Sequence, residues 1–168
     1  MKPLLNDDTA KYLEKIDYTS TWSVAHHMRF LMFANYIVQN NVKHVLDVGF
    51  GQNVLVKYLK DAGFTGIYTG VDMNSEYVKQ ANCWLHDNPT LPFKIEYLAG
   101  GLGIVEGQQF DCIILGEVIE HVSKDISVWF MSTCKTLLSE HGTVLLSTPN
   151  KIDGKINWPD DHVDEFSY

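Results

Sequence analysis

Apolar positions recur at helical spacing in the first quarter of the chain and gather into short, strand-length runs after it. Residues 8–40 read as helical. In their second part Val24, Met28, Leu31, Met32 and Val38 follow a helical period, with Ser20 or Thr21 available as N-cap. From Val42 the pattern changes. Val42–Val48 reads as a buried strand ending at Gly49, and a helix over about 53–62 is stopped by Gly63. Gly66–Asp72 forms a second strand, followed by a helix over about 75–87 that Asn88-Pro89 closes. Phe93–Leu98 is a third strand and leads into a glycine-rich stretch. Phe110–Leu115 is a fourth, followed by a helix over about 124–138. Gly142–Ser147 is a fifth, ended by Thr148-Pro149-Asn150.

Strands separated by helix-length segments imply βαβ units and a mostly parallel α/β sheet, with binding sites at the C-terminal ends of the strands. A chain of 168 residues fits one such domain. No internal repeat, low-complexity tract or linker interrupts it.

Composition narrows the partners. The formal charge is −8 and Arg29 is the only arginine, so a phosphate backbone meets repulsion, which tilts the expectation toward a small-molecule acceptor. No apolar run approaches the roughly 20 residues of a membrane span, and the N-terminus lacks the apolar core of a secretory signal. The expected location is therefore the cytoplasm, with no membrane partner. Cys83, Cys112 and Cys134 are odd in number and scattered, which argues against disulfides and against a cysteine zinc site and favours buried free thiols.

The chemistry begins at Asp47-Val48-Gly49-Phe50-Gly51. Two glycines directly after a buried strand and before a helix permit a tight turn and let a ligand approach the backbone. Asp72 closes the next strand 23 positions after Gly49, about where a nucleotide-binding βαβ unit places its ribose-binding carboxylate. A carboxylate at Asp47 would repel a pyrophosphate and attract a cationic ammonium or sulfonium, which disfavours a nicotinamide dehydrogenase. Gly100-Gly101-Leu102-Gly103 lacks the Gly-Lys-Ser/Thr ending of a phosphate loop and reads as a flexible loop.

Val45-Leu46-Asp47-Val48-Gly49-Phe50-Gly51 resembles motif I of class I S-adenosylmethionine-dependent methyltransferases. Phe110–Val122 and Gly142–Asn150 are similar to that family's fourth- and fifth-strand motifs, so the resemblance covers about residues 42–150. It implies a Rossmann-like, doubly wound sheet in the order 3-2-1-4-5, preceded by an N-terminal helical lid over 1–41 and followed by a tail over 151–168. It also implies S-adenosylmethionine as cofactor. Asp47, Gly49, Phe50 and Gly51 would hold the methionyl end, Asp72 the ribose, and Met73 the adenine, with Gly100 and Gly116 completing the pocket. Two departures stand out. Asn53 occupies the place of the family's third glycine, and Ala99-Gly100-Gly101 replaces the acid that many members offer to the adenine amino group.

Glu117, Glu120 and His121 follow the fourth strand, where substrate should sit. On a helical turn Glu117 would face Glu120 and His121, and three such groups can ligate a divalent ion or let His121 act as general base. A purely structural rim is the third reading. Glu117-Val118-Ile119-Glu120-His121 with the later Asp161-His162 resembles the small-RNA 2′-O-methyltransferases, which bind a divalent metal through two Glu and two His. The same string is similar to ubiquinone-biosynthesis O-methyltransferases. By the first resemblance His162 joins Glu117, Glu120 and His121 as a metal ligand. His26, His27 and His44 are expected in core or surface roles, and Trp22, Phe30 and Phe33 in helix packing. Trp22 and Arg29 are also candidates for closing the cofactor pocket.

The resemblance implies a further helix and an antiparallel strand pair after the fifth strand, and the 18 residues beyond Asn150 cannot supply them. A trimmed chain, a naturally shortened one and one piece of a larger assembly are all compatible with that. An uncovered edge strand favours a homodimer or a protein partner. Three functions remain in view: methyl transfer to an oxygen or nitrogen of a small molecule, metal-dependent RNA 2′-O-methylation, and a non-catalytic binding subunit on the same fold.

Overall fold

The computed structural model describes residues 21–149 and Val163. Helix α1 (Thr21–Gln39) leads into strand β1 (His44–Val48), helix α2 (Val54–Ala62), β2 (Ile67–Asp72), α3 (Ser75–Asp87), β3 (Lys94–Ala99), β4 (Phe110–Gly116), α4 (Lys124–Leu137) and β5 (Leu138–Ser147). The five strands form one sheet in the order β3-β2-β1-β4-β5, and every neighbouring pair is parallel. This is the order expected of a Rossmann-like methyltransferase fold. The switch between β1 and β4 opens a crevice at their C-terminal ends, where such sheets bind ligands.

The sheet is buried on both faces. Val45, Tyr68, Cys112 and Ile114 pack with Ala34 and Ile37 of α1 and with Leu55, Val56 and Leu59 of α2. Leu46, Val48, Val71, Ile113 and Leu115 face the other way, onto Cys134 and Leu137 of α4. Central strands covered on both faces explain the near-continuous apolar runs in the sequence. No helix among the described residues is long and apolar enough to cross a membrane.

Three expectations need correction. Leu102–Val105 is a 3-10 turn and not a flexible loop, because Leu102 and Val105 are fully buried and anchor it. The fifth strand begins at Leu138, directly from α4, four residues before the expected Gly142. Cys112 and Cys134 are buried free thiols as expected, but Cys83 is exposed on α3. Residues 8–20 of the expected N-terminal helix and the tail lie outside the described residues, Val163 excepted.

Gly70 in the middle of β2 is fixed by close approach. A Cβ there would stand 2.8 Å from Phe50, 3.0 Å from Tyr97 and 3.2 Å from Tyr68. These rings support the loop after β1, so Gly70→Ala forces aromatic side chains apart. The expected cost is roughly 1–3 kcal/mol of unfolding free energy in a urea titration; an unchanged midpoint would show that the rings have room to move.

Candidate functional site

The loop after β1 has an uncommon backbone. Gly49 (φ 68°), Gly51 (φ 53°) and Asn53 (φ 60°) all lie in the left-handed region, which glycine enters freely and asparagine tolerates best among the rest. The turn is braced from β2: the Gly49 amide donates to the Val71 carbonyl at 2.8 Å, and the Gly51 amide donates to Asp72 Oδ2 at 2.9 Å. The other oxygen of Asp72 accepts from the Asn74 amide at 2.8 Å, so this buried carboxylate ties both loops together. Met73, next to it, is 85% exposed. Gly100 closes the third strand's loop by donating its amide to the Asp72 carbonyl at 2.9 Å.

Asp47 lies beneath the loop, away from the cleft wall. It is buried, and Tyr68 donates a 2.7 Å hydrogen bond to its Oδ2. Burial pushes its carboxyl up to about 7; the Tyr68 bond opposes that shift and the charge of Asp72 adds to it.

The second loop comes from β4. Gly116 is followed by Glu117 at φ 59°, whose amide donates to the Ser147 carbonyl of β5 at 2.9 Å, and then by a 3-10 turn over Ile119–His121. Glu117 therefore precedes the turn, and the expected helical facing of Glu117 with Glu120 and His121 does not occur. The two loops touch: a Cβ on Gly49 would stand 2.9 Å from Val118 Cγ2. Gly49 is thus glycine for both its dihedral and its contact.

Between these loops lies a cleft of about 420 Å³. Gly49–Gln52 form one wall, Gly116, Glu117, Glu120 and His121 the other, and His26, Arg29 and Phe30 of α1 reach over it. Arg29 forms a 2.7 Å ion pair with Glu117 and donates at 2.8 Å to His26 Nδ1, while its guanidinium carbon stands 5.3 Å from the centre of the Phe30 ring. Burial, then the charges of Arg29 and His27, pushes the His26 imidazole down to about 4, so it is neutral at pH 7. His27 points back into the fold and hydrogen-bonds the Tyr58 hydroxyl. His26 was expected in the core or on the surface; the structure places it on the cleft, one helical turn before Arg29. Pro149, Val54 and Gln52 line the cleft as well, and no motif marked them.

Glu120 is fully buried. Its Oε2 accepts from Thr148 Oγ1 at 3.2 Å, and its Oε1 has no hydrogen-bond partner among the described residues. Burial raises its pKa and a hydrogen bond to its own backbone opposes that most; the charge of Glu117 adds to the rise, while His121 and Thr148 lower it. Glu117 is paired with Arg29, and among the described residues no three His, Cys, Asp or Glu side chains are grouped to hold a metal. His162, the fourth expected ligand, lies outside the described residues.

Comparison with known proteins agrees with this geometry. A family model described as a methyltransferase domain matches residues 12–165. The mitochondrial ubiquinone biosynthesis O-methyltransferase of Homo sapiens is 36% identical over 110 residues, covering 64% of this chain and 29% of that protein. The enzyme of the same description from Haemophilus ducreyi is 34% identical over 113 residues, covering 65% of this chain and 46% of its own length. The chain therefore spans less than half the length of these relatives. Among solved structures, magnesium protoporphyrin IX methyltransferase from Synechocystis, with bound S-adenosylhomocysteine, aligns with a TM-score of 0.65 at 20% identity, over 79% of this chain and 59% of that one. The methyltransferase domain of bacterial CtHen1-C aligns with a TM-score of 0.57 at 25% identity, over 73% and 65%. The chain belongs to the methyltransferase-domain family, as a class I S-adenosylmethionine-dependent member.

Asp47 gives this site a pH signature. Its folded pKa lies above the unfolded value of 3.8, so the stability it contributes is complete below about 4 and is lost as pH rises through about 7. Relative to Asp47→Asn, the wild type should lose on the order of 2 kcal/mol between pH 5 and pH 8 in urea unfolding. A stability gap that stays constant over that range would mean that Asp47 is not held as described.

Proposed function

We propose that this domain transfers a methyl group from S-adenosylmethionine to an oxygen of a small-molecule acceptor. The observation that carries the reading is the cleft at the ends of β1 and β4, bounded by the left-handed glycine turn and by Gly116–His121. The names of the curated relatives, O-methyltransferases of ubiquinone biosynthesis, support oxygen as the target.

The residues present fit the cofactor. Gly49, Phe50 and Gly51 offer a turn without β-carbons at its two glycines, which a methionyl group can approach. Gly116 leaves the opposite wall open, with Phe33 3.4 Å from where its Cβ would be. Asp72 keeps lone pairs for ribose hydroxyls while bracing Gly51. Met73 and Gly100 border the adenine end. Bound there, S-adenosylmethionine supplies a methyl group already activated on a sulfonium, so the protein's main contribution is alignment.

His121 takes the proton of the acceptor hydroxyl, so that its oxygen can bond to the methyl carbon as the carbon–sulfur bond breaks and the electron pair leaves with the neutral thioether. Glu117 pairs with Arg29 and keeps that end of the cleft electrically balanced. Glu120, buried beside His121 in the same 3-10 turn, helps set the place of that turn at the cleft wall. His26, Arg29 and Phe30 cover the acceptor and exclude water from it. A cleft of about 420 Å³ suits a small molecule, and the acidic chain suits one without a phosphate backbone.

Calorimetry with S-adenosylhomocysteine should give one site with micromolar affinity. No heat at high micromolar ligand would overturn the assignment. His121→Ala should lower turnover of a phenolic acceptor about 100-fold or more while leaving that affinity within about twofold. Full turnover in the variant would remove His121 from the chemistry.

A further inference from the structure

The third left-handed position of the glycine turn is held by a side chain from across the sheet. Asn53 has φ 60° and ψ 35°, directly before α2, yet its side chain makes no cap bond to that helix. Instead its Oδ1 accepts a 2.7 Å hydrogen bond from the hydroxyl of Tyr97, in β3 and 44 residues further on. Both residues are buried, and Asn53 Nδ2 has no partner among the described residues, so this bond is what anchors the amide. The Tyr97 ring also stands 5.0 Å from that of Phe50, the residue between the two glycines. Burial pushes the Tyr97 phenol well above its ordinary pKa, so it remains a donor.

We propose that Tyr97 is a positioning residue for the cofactor loop: through Asn53 it holds a left-handed conformation that glycine would reach unaided, and cofactor affinity depends on that pair. The idea rests on the cofactor site proposed above. Asparagine visits the left-handed region at a cost that glycine does not bear. The backbone there decides where Gly49 and Gly51 point, because the Asn53 amide closes the turn by donating to the Phe50 carbonyl at 3.1 Å. If the bond to Tyr97 is lost, Asn53 relaxes and the turn loosens. With glycine at 53 the turn keeps its shape and Tyr97 becomes dispensable to it.

The test uses wild type, Tyr97→Phe, Asn53→Gly and the double variant, read by S-adenosylhomocysteine affinity and by the amide shifts of Gly49 and Gly51 in ligand-free protein. Tyr97→Phe should weaken binding about three- to tenfold and move both amides, since one buried hydrogen bond is lost. Asn53→Gly should bind within about twofold of wild type, and adding Tyr97→Phe to it should cost less than about twofold. An equal loss in both backgrounds would reduce Tyr97 to general stability, and wild-type affinity and shifts in Tyr97→Phe would overturn the proposal. If the wild type binds no S-adenosylhomocysteine, the cofactor reading fails by itself and the loop amides still decide the role of the pair. Should Tyr97→Phe fail to fold, Asn53→Ala is expected to bind about tenfold more weakly than Asn53→Gly, and equal affinities would refute the idea.

Discussion

Between the end of β1 and the start of α2 the backbone enters the left-handed region three times, at Gly49, Gly51 and Asn53. Each entry needs a brace, and the braces come from elsewhere in the sheet. The Val71 carbonyl takes the amide of Gly49, the Asp72 carboxylate takes that of Gly51, and Tyr97 holds the side chain of Asn53. Parallel pairing of β1, β2 and β3 brings these partners to the same end of the sheet. The turn is therefore a product of the strand order, since all three braces come from outside its own βα unit.

The same dependence explains the buried polar groups under the loop. Asp47 and Tyr68 bond each other, and Tyr97 bonds Asn53, in a layer that would otherwise be apolar. These bonds offset much of the cost of burying such groups. Asp47 contributes to the site from below, as part of the floor on which the glycines rest. Its raised pKa follows from that position, and a cationic ligand above the loop would favour its ionised form.

Much of this was legible in the sequence. The strand-helix alternation, the glycine turn and the place of Asp72 at the end of the second strand follow from residue types at short spacing, and the strand order is what the family resemblance implies. What was illegible depends on contacts between distant segments. His26 looks like one more residue of an amphipathic helix until α1 crosses the cleft and sets it beside Arg29. Glu117 reads as the start of a helical turn, but its amide bonds to Ser147 in β5, and that bond fixes a left-handed backbone. Asn53 reads as a departure from the glycine pattern, although asparagine at a left-handed position is the physically closest substitute. The start of β5 was missed because Ser139-Glu140-His141 is too polar to signal a strand before the apolar run begins.

Whether the braced turn is a cofactor seat is the question on which all the chemistry rests. Amide hydrogen exchange with and without S-adenosylhomocysteine answers it most directly. The expected result is slowed exchange confined to residues 49–53, 72–74 and 116–121, the two loops and the brace between them. Protection that falls elsewhere, or none at saturating ligand, would contradict the claim that this turn holds the methyl donor.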